Sequence, residues 1–317
     1  MSAEVMFQLR FAAICLGALF ILYALLSIAV SISWRFLRNK GFTSTTLLTL
    51  RLSPLVLSLF SVAFFVAPSF LYFEPRALEE EIGAAAIIAA LAGMIVLLAG
   101  AWRAGSAWWK VAAFLKRAIA RARRVKSVSA APVYSLPEMP SAMMVVGVTR
   151  PALLISEKAV ALLDERELRA AMRHELAHLR RRDNLKRLLF NFCAWPTMTG
   201  SAMADLERSW LHAAELEADA DAVCDVDSAA DLASALLKIA RHTTSAAVPA
   251  IAMALVPDRG APLASRVDRL LHWEPVQTGR KRIPATILTA VPLLTLAILT
   301  YSHVLSGVHE MTELFLR

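Results

Sequence analysis

The sequence predicts a mainly α-helical integral membrane protein with four spans, and a cytoplasmic domain of mixed α and β structure between the third and fourth spans. Two observations carry this prediction. The 317 residues are 57% hydrophobic with a mean hydropathy of +0.54, which is more apolar than soluble domains usually are. Four uncharged stretches also reach the roughly 20 residues needed to cross a bilayer. They are 11–34, 52–73, 82–102 and 283–305.

The charged residues around these stretches orient the chain. Basic residues follow the first stretch, are dense over 103–126 and recur at 280–282, whereas the linker 74–81 is acidic. Because cytoplasmic loops are enriched in Lys and Arg, 103–282 is predicted to be cytoplasmic, and the amino terminus and the short tail 306–317 extracytoplasmic. The first stretch lacks the features of a cleaved signal peptide, so we expect it to be retained as a span.

The net charge of +8 fits two classes of partner, nucleic acid and anionic lipid. The topology already accounts for the basic clusters, so we expect the lipid bilayer as a partner and no direct binding of nucleic acid. Cys15, Cys193 and Cys224 are scattered along the chain, which predicts neither a disulfide nor a cysteine metal site. The oligomeric state is not predicted.

The segment 103–282 shows several local signals. Over 103–126, apolar and basic residues fall on different sides of a helix, which predicts a helix on the lipid surface. A Ser/Pro-rich linker follows, and 142–148 and 152–156 are predicted strands. Further helices are expected over 157–163, 206–223, 229–241 and 263–271.

The longest helix of this domain is expected to begin at Asp164, which forms a capping-box pattern with Glu167. No proline or glycine follows before Pro196, so the helix is predicted to continue without interruption to about residue 188. The apolar segment 188–198 is a poor full span and is predicted to dip into the membrane interface.

Inside this helix lies the sequence HELAH, with His174, Glu175 and His178. Residues four apart lie on one helix face, so both histidines can reach one metal ion. Imidazole is a good zinc ligand, and a glutamate beside the first histidine can act as a general base on water. The spacing therefore predicts a zinc site. The competing interpretation is a solvated helix face stabilised by Glu–Arg pairs.

A third zinc ligand must come from elsewhere, because Asn184 stands where a third histidine of the same helix would be. Two pairs of acidic residues on a later helix qualify. Glu215 has Asp219 four residues on, and Glu217 has Asp221 at the same spacing. Spacing alone does not decide between them, although His212 shares the face of Glu215. The aspartate of the pair would orient a ligand histidine through its other ring nitrogen.

These motifs resemble the membrane zinc metallopeptidase domain of the beta-lactam-sensing antirepressor transducers, and more distantly the CAAX-prenyl endopeptidase group of membrane gluzincins. The resemblance rests on VVGVTRPALLIS, the HELAH helix and ELEAD, covers about 132–271 by motif, and extends to the whole chain by topology. It implies a gluzincin-type α+β protease domain. His174, His178 and Glu215 would be metal ligands, Glu175 the general base, and Asp219 the carboxylate that orients a ligand histidine.

The resemblance further implies Zn²⁺ as the cofactor and a multi-pass protein of the bacterial cytoplasmic membrane. The substrate would be a protein or peptide at or near the membrane, such as a transcriptional repressor. A strand beside the zinc helix, 145–148 or 152–156, would pair with extended substrate. The extracellular sensor of the best-known family members is not expected in this chain, and the oxyanion-stabilising group stays open among Tyr134, His212 and several arginines.

Overall fold

The chain is mainly helical in a computed structural model, with one small sheet and three helices long and apolar enough to cross a membrane. The structure describes residues 3–75, 82–125, 131–139, 141–193, 200–242, 253–254, 263–274, 301 and 303–314. Most of the predicted fourth span, 283–305, lies outside these residues. Many large apolar side chains of the three long helices are exposed, as expected for surfaces that face lipid.

The helices are numbered here along the chain. They are α1 (Ala3–Leu37), α2 (Ser44–Ser61), α3 (Ala67–Phe73), α4 (Ala84–Arg121), α5 (Glu157–Leu162), α6 (Glu165–Arg181), α7 (Asp183–Phe192), α8 (Gly200–Ala222), α9 (Val226–His242) and α10 (Leu263–Leu271). A π-helical turn, Val62–Val66, joins α2 to α3, and residues 303–314 are also helical. The chain forms two compact units: Met1–Ser33, Leu52–Ala99 and Gln277–Arg317 make the first, and Trp34–Arg51 and Gly100–Val276 the second.

In the first unit, the π-helical turn precedes Pro68, which has no N–H to donate to the carbonyl of Phe64. The Tyr301 hydroxyl donates to that carbonyl instead. Helix packing is close at Gly93 of α4, where a Cβ atom would collide with the backbone carbonyl of Leu16. Small residues therefore allow the apolar helices of this unit to approach each other closely.

The second unit contains a five-stranded sheet. Its strands are β1 (Arg123–Val125), β2 (Val133–Leu136), β3 (Met143–Val146), β4 (Ala152–Ser156) and β5 (Met253–Ala254). They lie in the order β1-β2-β4-β3-β5, and only the β2–β4 pairing is parallel. Gly147 adopts a φ of +104° directly after β3, a conformation that L side chains disfavour, in the turn that leads to β4.

Helices cover both faces of this sheet, and each face has its own apolar core. Val145 of β3 and Leu153 of β4 point toward the side formed by α6 and α9. Met144 and Leu154 point to the opposite side, where Val111 and Ala118 of α4 pack against them. Strand residues buried on both faces explain why 142–148 and 152–156 are so uniformly apolar in the sequence.

Several predicted boundaries are wrong. The helix expected over 103–126 is the continuation of α4, ends at Arg121 and is followed by β1. The Ser/Pro-rich linker contains β2, which the sequence did not indicate. The helix expected to continue from Asp164 to about residue 188 stops at Arg181, because Arg182 adopts a left-handed conformation with φ 55° and ψ 40°. The predicted interfacial segment 188–198 is helical to Phe192, and 194–199 lie outside the described residues.

Candidate metal centre

Helix α6 carries the HELAH sequence, and its start is fixed by the expected capping box. The Asp164 side chain accepts from the backbone N–H groups of Arg166 and Glu167, and Glu167 accepts from the Asp164 N–H. Ser234 and Lys238 of α9 also donate to Glu167. The amino-terminal end of the helix is therefore held both by its own cap and by a neighbouring helix.

Three side chains with metal-ligating atoms meet between α6 and α8. The Nε2 atoms of His174 and His178 are 3.1 Å apart, and the carboxylate of Glu215 lies 3.6 Å from the first and 3.5 Å from the second. Four ligands at about 2.0–2.1 Å from a tetrahedral zinc lie about 3.3 Å from one another. The spacing and the His₂Glu chemistry of this set therefore fit a zinc ion.

Each histidine is oriented by a carboxylate at its other ring nitrogen. Asp219 lies 2.8 Å from Nδ1 of His174. Asp183 lies 2.8 Å from Nδ1 of His178 and also accepts a hydrogen bond from Lys186. These partners direct both Nε2 atoms toward Glu215, which is the arrangement that metal-binding histidines use.

Asp183 is a site residue that the sequence did not indicate. In an uninterrupted helix it would lie about 140° around the axis from His178 and could not reach that ring. The left-handed conformation of Arg182 ends α6 and brings Asp183 back toward the site. Asn184 uses the same turn to donate hydrogen bonds to the carbonyls of Val145 and Gly147. The helix break therefore builds part of the site.

Arg266 of α10 is the second residue that the sequence did not indicate. Its guanidinium donates to both carboxylate oxygens of Asp219 at 2.8 and 2.7 Å and lies 3.0 Å from Glu215. It is only 1% exposed. The pattern ASRVDRLL showed a helix at this position, but nothing in it identified which arginine would be buried.

Glu175 is fully buried next to the three ligand side chains. Burial raises its pKa to about 7, against the opposing effect of His174 and His178. No hydrogen bond of ordinary geometry reaches its carboxylate from the described residues. A carboxyl group in this state can both accept and release a proton near neutral pH.

The ligand residues are also electrostatically coupled. Burial alone would raise the pKa of Glu215, but Arg266, His178 and His174 outweigh it, so the pKa is lowered. Burial would lower the pKa of His174, but the nearby carboxylates of Asp219 and Glu215 raise it to about 9. The environment therefore favours a positive charge between these side chains. A zinc ion would compete with a proton for this position.

The structure separates the two glutamates between which spacing alone did not decide. Glu217 points away from His174 and His178, and accepts from the backbone N–H and hydroxyl of Ser44 and from Arg181. Asp221 also pairs with Arg181. Glu215 is therefore the acidic residue of this helix that joins the two histidines.

Other residues considered for the site lie elsewhere. Tyr134 of β2 packs on the α4 side of the sheet, away from α6, and is not placed to stabilise an oxyanion. His212 lines a separate cavity. Of the three arginines 180–182, Arg181 forms an ion pair with Glu217 of α8, and Arg182 is the left-handed residue at the end of α6.

Both ranges expected to pair with substrate already pair with other strands of the sheet. The range 152–156 is β4, which lies between β2 and β3 and has no free edge, so that half of the expectation is wrong. The outer edge of β3 pairs with β5, with Met144 opposite Ala254 and Val145 opposite Met253. An extended substrate would have to replace β5 or bind beyond it.

A cavity of about 450 Å³ opens beside the candidate centre. It lies between the end of β3 and the turn from α6 to α7, and is lined by both apolar and polar groups. His178 and Asn184 are among its polar lining residues, and Leu179 and Pro151 are among its apolar ones.

A second group of ligand-type side chains lies in the first unit. Glu74, His309 and Glu313 have ligand atoms within 4.8 Å of one another. The Arg10 guanidinium lies 2.6 Å from Glu74, and both side chains are buried. That ion pair already balances the buried carboxylate, so we assign no metal to this group.

Neither a protein-family profile nor a curated protein matches this chain. The resemblance to the antirepressor transducers therefore stays a prediction from the motifs HELAH and ELEAD.

Proposed function

We propose that this protein is a membrane zinc endopeptidase that hydrolyses a peptide bond of a cytoplasmic or membrane-proximal protein. One observation carries the proposal. Two helices place ligand atoms of His174, His178 and Glu215 within 4.8 Å of one another, next to the buried Glu175. The predicted four-span topology, with the site on the cytoplasmic side, belongs to the same proposal.

Each residue of the centre has a role in this reaction. His174, His178 and Glu215 would hold the zinc ion, with Asp219 and Asp183 beside the other ring nitrogens of the two histidines. A bound zinc would polarise the scissile carbonyl and make water more acidic. Glu175 accepts a proton from the attacking water and delivers it to the leaving amine, for which a pKa of about 7 is well suited.

The substrate contacts the centre from the side of β3. The cavity beside His178 receives a substrate side chain, and the backbone of β3 is the nearest strand for main-chain hydrogen bonds. By resemblance, a transcriptional repressor is the first candidate substrate. The membrane helices would keep such a reaction close to the bilayer.

The test of catalysis uses the purified full chain, loaded with zinc, in zwitterionic nanodiscs. A panel of unfolded proteins and candidate repressors is incubated with the wild type and with Glu175→Gln, and cleavage products are identified by mass spectrometry. We expect cleavage by the wild type and a rate at least about 100-fold lower for the variant. Glu165→Gln, an exposed position on the same helix, is the matched control and should cleave normally.

Metal analysis of the same preparations tests the site separately from activity. The wild type should retain close to one equivalent of zinc after dialysis, and His174→Ala and Glu215→Ala should retain far less. Equal cleavage by wild type and Glu175→Gln, or no cleavage of any panel member, would argue against the enzyme. Zinc retention unaffected by either ligand substitution would argue against the site.

A non-catalytic membrane signalling or scaffold protein that keeps the protease fold is the second candidate. Arg266 favours it, because this buried guanidinium balances the charge of Glu215 and Asp219 without a metal ion. This alternative predicts that the wild type retains no zinc at micromolar concentrations and still folds with an unchanged thermal midpoint after chelation.

A further inference from the structure

A second cavity, of about 790 Å³, lies between the α1–α2 linker and α8 in the second unit. We propose that it binds the phosphate-bearing headgroup of an anionic phospholipid. This proposal concerns a site separate from the candidate metal centre and does not depend on proteolysis.

The lining of this cavity is strongly basic. Arg38 and Lys40 come from the linker, Arg208 from α8 and Arg269 from α10, and Glu217 is the one carboxylate among the lining residues. Arg181 and Ser44 already bind that carboxylate. Four cationic side chains around a single neutralised acid therefore favour an anion in the cavity.

The cationic groups are available to a ligand to different degrees. Arg208 pairs with Asp205 at 3.2 Å, in an exposed contact that contributes little. Among the described residues, no ion pair involves Arg38, Lys40 or Arg269, and all three are exposed. A phosphate group would give these side chains a shared counter-ion and charge-assisted hydrogen bonds.

The other part of the lining is apolar. Trp34, Phe42, Leu47 and Leu216 contribute to the cavity, and the ring centroids of Trp34 and Phe42 are 6.5 Å apart. The Trp34 indole is held by a hydrogen bond to Asp205. A cavity with an apolar wall and a basic rim suits an amphiphilic anion better than a free inorganic ion.

The position of the cavity in the chain favours lipid as the source of that anion. Arg38 and Lys40 directly follow α1, and Ser44 begins α2, and both helices belong to stretches apolar enough to cross a membrane. The linker between two such helices is held at the bilayer surface, where Trp side chains are enriched and headgroup phosphates are concentrated.

The test measures lipid binding directly with the full chain in phosphatidylcholine nanodiscs that contain a minor fraction of phosphatidylglycerol. Brominated phosphatidylglycerol should quench tryptophan fluorescence, and native mass spectrometry should detect retained lipid. The variant Arg38→Gln/Lys40→Gln/Arg208→Gln/Arg269→Gln is expected to bind at least about tenfold more weakly. The control Lys110→Gln/Lys116→Gln/Arg117→Gln/Arg121→Gln removes the same charge from exposed positions of α4 and should bind like the wild type.

A second variant tests the cavity without changing its charge. Ser209 lines the cavity, and Ser209→Trp should fill part of it and weaken binding by a similar factor while all four cations stay in place, as measured by native mass spectrometry because the added indole would itself fluoresce. This variant also covers the case in which the quadruple variant does not fold.

Three results would overturn the proposal. The first is an equal weakening of lipid binding in the quadruple cavity variant and in the α4 control, which would show that binding depends on total charge. The second is unchanged binding in Ser209→Trp. The third is competition by inorganic phosphate or glycerol phosphate at the same concentration as the lipid, which would assign the cavity to a soluble phosphate compound.

Discussion

Arg266 connects two buried acidic residues of the candidate centre, Asp219 and Glu215. Removing its charge would leave both carboxylates buried without their strongest cationic neighbour. We expect Arg266→Gln to lower stability by about 3–5 kcal/mol, measured as a fall in the thermal unfolding midpoint. Arg269→Gln, an exposed position one turn away on α10, is the control and should change stability little. Equal effects of the two substitutions would contradict this role for Arg266.

Asp183 allows a separate prediction, because it contacts the Nδ1 atom of His178 and does not belong to the group of candidate ligands. Asp183→Asn keeps the shape of the side chain and loses the charge that favours the correct ring tautomer. Zinc affinity should fall by about 10–100-fold, measured by competition with a fluorescent chelator. Asp221→Asn removes a carboxylate whose partner among the described residues is Arg181, and its zinc affinity should match the wild type. A loss of zinc in both variants would point to general destabilisation.

At the scale of elements, the sequence predicted the parts of the site that depend on local spacing. His174 and His178 share a face because of helix geometry, and the Asp164–Glu167 cap formed as expected. The end of α6 was not predictable in the same way, because Arg182 is neither glycine nor asparagine yet adopts a left-handed conformation. Tertiary contacts of Asp183 and Asn184 stabilise that conformation, and a single sequence does not show them.

The cap of α6 also gives a prediction about pH. Burial would raise the pKa of Glu167, but Lys238, Ser234 and the Asp164 N–H outweigh it, so the pKa is lowered. A group with a lowered folded-state pKa stabilises the protein above its unfolded value of about 4.3, and that contribution is lost as pH falls through the folded pKa. Glu167→Gln should therefore cost about 1 kcal/mol at pH 7.

The difference between wild type and Glu167→Gln should shrink as the pH is lowered below about 4, which unfolding midpoints measured across pH will show. Glu165→Gln is the control, since Glu165 is exposed and its ion pair in the described part of the chain is with the exposed Arg169. A difference that stays constant across this pH range would mean that the charge of Glu167 does not stabilise the cap.

At the scale of the whole molecule, hydrogen bonds connect α8 and the end of α7 to the end of α1 and the first part of α2. Trp34 donates to Asp205, Ser44 to Glu217, and Arg51 to the carbonyl of Cys193. The partners are more than 140 residues apart in the chain, so no local pattern predicted them. The helix that supplies Glu215 is thus attached to the start of α2.

Glu215 and Glu217 lie two residues apart but have different contacts: Glu215 faces the two histidines, and Glu217 bonds to Ser44 and Arg181. An alanine variant of each residue should separate zinc binding from stability. Glu217→Ala leaves the N–H of Ser44 without its acceptor and removes one of the two carboxylates that Arg181 contacts, and it should lower stability by about 1–3 kcal/mol with zinc retained. Glu215→Ala should lose zinc. Thermal unfolding with and without a chelator distinguishes them, because chelation should lower the midpoint of Glu217→Ala but not that of Glu215→Ala. Zinc loss in Glu217→Ala alone would reverse the assignment of the two glutamates.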